Sequence, residues 1–306
     1  MIMQKTGKGF NDCSSNNRKC STIDCHFPEE RRLLEVNPNK YNPLETGNFY
    51  YHYTSIVALK SILSGKNIRL TYYKHLNDTE EGTLAFNLLL EQDIDSKKKE
   101  ALKKLHEIAI KNFYIGSFSG FGNRLSLWRG YGNICIGFNP DRFNRNGIRF
   151  VKDKNGEHHL TSGLQFITCN YIDLEPKNIE SRTKQLLENF RGLTFGSLNN
   201  IEEFQYYSLK LGLLLFAEKH IGFYEEREAR IIYYLYDVKP FICEKGKKYI
   251  EYLFDPEAVE RIVIGPSNRQ REVFEEVSRI LNKHGKDYEH VELFCSTIPY
   301  TDSNND

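Results

Sequence analysis

The chain carries one tryptophan and two methionines among 306 residues, and no long apolar run. Its longest apolar stretches, such as "LGLLLFA" at 211–217, fall far short of the ~20 residues that span a bilayer. The first residues offer no apolar core for a signal peptide, so a cytoplasmic protein with no membrane partner is expected. Charge of either sign is not in excess: 42 basic residues face 41 acidic ones, which excludes a global field drawing nucleic acid or membrane. A local basic run, "KKKEALKK" at 97–104, reads as a solvated helix face. The seven cysteines are odd in number and none stands in a C-x-x-C pair, which argues against a disulfide framework or a structural zinc site. Cys13, Cys20, Cys25 and His26 are too loosely spaced for a convincing ligand set, so no metal is expected. There is no Walker loop, G-x-S-x-G or H-E-x-x-H, and kinase, hydrolase-elbow and zincin chemistry fall away. "GSFSGFGN" at 116–123 is too irregular for a dinucleotide fingerprint.

What the chain does have is aromatic residues, with 19 Tyr and 20 Phe. They suit strands and a stacking pocket better than a helical bundle. Residues 1–28 are polar and aperiodic and read as a flexible leader. The remainder, 29–306, reads as one α+β domain, because strand-like and helix-like segments mix without regular alternation, repeat or linker. Strands are expected at "FYYHYT", "IRLTYY", "FYIGSFSG", "ICIGFN", "LQFITCNYI", "EARIIYYLY", "VERIVIGP" and "HVELFCSTIPY". Helices are expected after residue 55 with a stop at Gly65, as two segments over 79–111, near 178–191, over 202–220, and over 270–284 with a stop at Gly285. In the 202–220 helix, Phe204, Leu209, Leu213, Leu214 and Phe216 are available for burial. "LNDTEEG" is a turn.

Three stretches carry candidate chemistry. His52 lies in an aromatic strand just before a helix, with Thr54 beside the helix start, where backbone N–H groups favour an anion. A core histidine with satisfied ring nitrogens is the competing structural role. In "GFYEEREARII", Glu226, Glu228 and Arg230 share one face at strand spacing and lead into an apolar run. Such carboxylates either pair with charges across the sheet or stabilise a developing oxocarbenium ion. "SFSGFGNRLSLWRGYG" combines Ser117, Ser119, Trp128, Arg129 and Tyr131 with glycines that permit close approach and rings that can stack on a flat ligand.

In order along the chain, "YHYTSIVALKSILSGKNIRLT", "LNDTEEG", "SFS" with "LSLWRGYG" and "ICIGF", "KHIGFYEEREARI", and "RIVIGP" with "CSTIPY" resemble the bacterial domain-of-unknown-function 2971 family. The resemblance covers about residues 49–300 and excludes the leader. That family is similar to the ADP-ribosyltransferase fold of the His-Tyr-Glu type. The resemblance implies a mixed or antiparallel split sheet with flanking helices and NAD as substrate. It makes His52 the ribose hook, with Tyr53 and Thr54 beside it, Trp128 and Tyr131 the stacking groups, and Ser117 and Ser119 the serine motif. Glu228 or Glu226 becomes the catalytic acid, the pattern not choosing between them. The implied activity is transfer of ADP-ribose to a macromolecule, RNA, DNA or protein, by an intracellular toxin or anti-phage defence effector, with an antitoxin protein as a further partner. An NAD glycohydrolase and a nucleotide- or partner-binding module without chemistry are the alternatives.

Overall fold

The computed structural model describes residues 49–76, 82–143, 150–160, 164–172, 184, 187–235, 239–243 and 245–299. The leader with Cys13, Cys20, Cys25 and His26, most of "LNDTEEG" and most of the helix expected near 178–191 lie outside the described residues.

The chain runs through β1 (Tyr50–Thr54), α1 (Ile56–Gly65), β2 (Asn67–Tyr72), α2 (Leu84–Leu90), α3 (Ser96–Ala109), β3 (Phe113–Ser119), α4 (Leu125–Tyr131) and β4 (Ile134–Phe138). Four short strands follow: β5 (Phe150–Lys152), β6 (His158–Leu160), β7 (Leu164–Thr168) and β8 (Asn170–Ile172). Then come α5 (Ile201–Phe216), β9 (Glu218–His220), a 3₁₀ segment (Ile221–Glu226), β10 (Glu228–Tyr234), β11 (Phe241–Ile242) and β12 (Lys248–Leu253). β13 (Val259–Ile264), α6 (Gln270–His284) and β14 (Glu292–Cys295) close the described chain. The fold is α+β, as expected, with a mixed and largely antiparallel sheet of twelve strands among the described residues. No helix among the described residues is long and apolar enough to cross a membrane.

The sheet branches at β3. Along one edge β3 pairs with β10 over its whole length, from Phe113↔Tyr234 to Ser119↔Glu228. The other edge is shared, since Tyr51 of β1 pairs with Ser119, while Thr71 and Tyr72 of β2 pair with Ile115 and Tyr114. Between these contacts, residues 116–118 face no strand on that edge among the described residues. β1 goes on to pair with β4, and β4 with β13. The split leaves a cleft with His52 on one bank and Arg69 and Thr71 on the other.

Alternation in β1 sends Tyr51 and Tyr53 into a small core with Trp128, Cys135, Val263 and Phe294, and His52 to the opposite face against Phe118. The main core packs α1 and α6 against the sheet, and a second core packs α2, α3 and α5 on β3 and β10.

Several elements differ from expectation. The left-handed residue ending α1 is Lys66 at φ 50°, with Gly65 still helical. "LQFITCNYI" is two strands, because the N–H of Cys169 bonds Glu228 and that of Asn170 bonds Ala217, so the chain leaves β10 to pair with β9. α5 ends at Phe216, and Glu218–His220 forms β9. Its buried face is Tyr207, Leu211, Leu214, Leu215 and Phe216, with Phe204, Leu209 and Leu213 only partly covered. Glu226 is not on β10: Arg227 adopts φ 43°, so Glu226 ends the 3₁₀ segment and the strand begins at Glu228.

Candidate functional site

Where β1 leaves β3, the carbonyl of Ser117 has no strand partner on that side among the described residues. The ring of His52 meets it instead, with Nδ1 3.2 Å from the Ser117 oxygen. A carbonyl only accepts, so Nδ1 carries the proton. Burial lowers the His52 pKa below its usual value, against the opposing pull of the Ser117 bond, so the ring is neutral near pH 7. Nε2 is then an acceptor, and no described group bonds it. One bond thus fixes both the tautomer and the direction of the open nitrogen.

The cleft holds a cavity of about 340 Å³, in the range of small-molecule sites (roughly 300–1,000 Å³). His52, Ser117, Ser119, Tyr131, Glu226 and Glu228 all border it, as does Tyr53. Tyr131 (45 % exposed) and Phe223 (36 % exposed) stand at its rim.

Glu228 is 4 % exposed at the head of β10. Its Oε1 accepts from Arg230 Nε at 2.7 Å, and its Oε2 from Arg230 Nη2 at 2.9 Å and Lys219 Nζ at 2.6 Å. Its N–H donates to the Tyr171 hydroxyl at 2.7 Å. Burial raises the pKa of the Glu228 carboxyl, while Lys219 and a hydrogen bond from Ser117 pull the other way. Lys219 also reaches Glu226 Oε2 at 2.7 Å. Burial would lower the Lys219 pKa, but the attraction of Glu228 and the bonds to both carboxylates overcome it and hold the ammonium charged. The second oxygen of Glu226, Oε1, has no partner among the described residues. The two glutamates are therefore inequivalent, one saturated by cations and one open to the cavity.

The other expected residues divide. Ser117 faces the cavity, whereas Ser119 uses its hydroxyl as a strap, donating to the Glu226 carbonyl at 2.6 Å and accepting from Phe121 N at 3.0 Å. Tyr53 does the same for the next loop: its hydroxyl donates to the Phe121 carbonyl at 2.9 Å and accepts from Arg124 N at 3.1 Å. Thr54 is buried and does not border the cavity; its carbonyl packs on Gly132. Trp128 is not at this site either. Its indole lies edge-on to Tyr53 at 4.6 Å, donates to Asn123 Oδ1 at 3.0 Å and borders a separate groove by Gly265. Trp128 is core, whereas Tyr131, one turn on and the last residue of α4, is the exposed ring.

Lys219, Tyr171, Arg69 and Lys247 belong to the site's surroundings and were not anticipated. For Lys219 the signal was "AEKHIGFYEE", a charge just past an apolar run and shortly before the acidic pair. Among the described residues no group of His, Cys, Asp and Glu is arranged to hold a metal ion. Compared with protein-family models, with curated proteins and with solved structures, the chain has no match.

Proposed function

We propose that the protein is an NAD-dependent ADP-ribosyltransferase with a macromolecular acceptor, working from the β1–β3 cleft. The observation that carries this reading is the meeting of His52 with Glu226 and Glu228 on one cavity, from opposite edges of β3. The resemblance named above assigned the same three residues to ribose binding and glycosidic cleavage.

In this reading the neutral His52 accepts a ribose hydroxyl proton at Nε2 while Ser117 holds its ring. Glu226 presents Oε1 to the hydroxyl next to the anomeric carbon and offsets the positive charge that grows on the sugar. Glu228 keeps Lys219 and Arg230 in register and through Lys219 orients Glu226. Tyr131 and Phe223 offer rings at the rim for a flat group. The bond that breaks joins the anomeric carbon to the nicotinamide nitrogen, which takes the electron pair, and an acceptor nucleophile then bonds that carbon and releases its proton to solvent.

A binding module without chemistry is the second reading, favoured by one observation: both oxygens of Glu228 are already held by cations. The purified protein, incubated with NAD and cell extract, is expected to release nicotinamide and label a macromolecule that nuclease or protease then identifies. Glu226→Gln should cut that release by about 10²-fold or more, as loss of an oriented charge-stabilising group does. Release unchanged by this substitution, or absent with every extract, rejects the transferase. Release with purified protein alone and no labelled product points to water as acceptor.

A further inference from the structure

The cavity's charges are unevenly compensated. Glu226 and Glu228 are met by Lys219 and Arg230, all within 2.9 Å contacts, so the acidic side is balanced. On the opposite bank stand Arg69 of β2 and Lys247, just before β12, and both border the cavity. Neither has a carboxylate partner among the described residues. The guanidinium of Arg69 lies on the Tyr249 ring at 4.3 Å, and the carboxylate across the strand from it, Glu251, is bonded to Asn67 at 3.2 Å and faces Lys152 at 3.8 Å. Among the described residues, Lys247 Nζ reaches only the carbonyl of His75, at 3.4 Å. Beside them His75 is engaged through Nδ1 by the N–H of Lys248 at 2.8 Å. Two cations in one cavity, one held over an aromatic ring and one on a flexible stem, are poised for an anion.

We infer that Arg69 and Lys247 form a diphosphate subsite, Arg69 binding one phosphate through its planar fork and Lys247 the other as a point charge. The match is one of charge: a diphosphate diester carries one negative charge on each phosphate, and this bank has one cation for each without a carboxylate partner among the described residues. It is also one of place, because β2 and β10 flank opposite edges of β3, so a diphosphate on β2 lets an attached ribose cross Ser117 toward Glu226. The inference deepens the proposed function by naming what holds the phosphates, yet its test does not need turnover.

Titration calorimetry with inorganic pyrophosphate, ADP-ribose and adenosine decides it. Wild-type protein should bind the two phosphate probes, weakening steeply with salt, and bind adenosine far more weakly. Lys247→Met and Arg69→Met should each weaken ADP-ribose binding by about tenfold or more, as loss of a charged hydrogen bond does, and leave adenosine unchanged. Both side chains are exposed, so urea midpoints should hold; if losing the Tyr249 stack unfolds Arg69→Met, Lys247→Met decides alone. Unchanged ADP-ribose affinity in the variants, equal wild-type affinity for adenosine and ADP-ribose, or no binding of either phosphate probe overturns the subsite. Phosphate binding through these cations with no nicotinamide release would sink the transferase and leave the subsite standing. NAD turnover with an unaltered KM in both variants would do the reverse.

Discussion

Replacing Arg230 by Met probes the charge cluster on which the carboxylate pair rests. Arg230 is 1 % exposed, in the middle of the sheet. It gives two hydrogen bonds to Glu228 and a third, from Nη1 at 2.9 Å, to the carbonyl of Phe216 at the end of α5. Met fills much of the stem volume and donates nothing. Removing one partner of a buried ion pair costs about 3–5 kcal/mol. Because Lys219 stays 2.6 Å from Glu228, the lower end applies, about 3 kcal/mol. The Phe216 carbonyl, deprived of this donor at a helix C-terminus, adds about 1–2 kcal/mol. Together Arg230→Met should lose about 4–5 kcal/mol, a large share of the roughly 5–15 kcal/mol that holds a typical domain. Urea unfolding followed by the fluorescence of Trp128, the chain's only tryptophan, reads the loss. The cluster Lys219→Met, Glu228→Leu, Arg230→Met should regain at least about 2 kcal/mol over the single variant, since the buried Glu228 goes together with both its cations and only the less buried Glu226 loses a partner. A loss below about 1 kcal/mol for Arg230→Met, or a triple variant less stable than the single one, would refute the reasoning.

Two further outcomes follow from the geometry. Burial lowers the pKa values of His52 and of His106, whose ring stacks on Phe86 at 4.3 Å and whose buried Nε2 meets no partner among the described residues. Both fold preferentially neutral, so their stabilisation is complete above the ordinary value of 6.5 and is lost as pH falls through their folded values; urea midpoints should drop on acidification below that value, and a flat or rising profile contradicts the assignment. Gly132, at φ +125° past α4, would place a Cβ 2.4 Å from the Thr54 carbonyl oxygen, so Gly132→Ala should cost more than about 2 kcal/mol in the same unfolding assay, and a change within about 0.5 kcal/mol would show that β1 and α4 are not clamped there.

Sequence pattern alone determined most elements. The alternation of "YYHYT" and the dense β-formers of "EARIIYY" make strands wherever they are placed. The apolar spacing of "VFEEVSRIL" makes α6, with Gly285 beyond its end at φ 55°. His52 and the Glu226–Glu228 stretch border one cavity, and that proximity is a property of the sheet: β1 and β10 come together because both pair with β3. Tertiary structure alone decided what each group does there. Glu226 and Glu228 look alike at strand spacing, yet one left-handed residue, Arg227, takes Glu226 off the strand. Trp128 and Tyr131 are both aromatic and one turn apart, and only the packing of Tyr53 and Gly265 on Trp128 makes it the buried ring. Lys219, Arg69 and Lys247 reach the cavity from three separate segments, brought there by long-range strand pairing that no local pattern encodes. Local preference acts over a few residues, whereas the pairing of charges in this cleft is set by contacts between strands far apart in the chain.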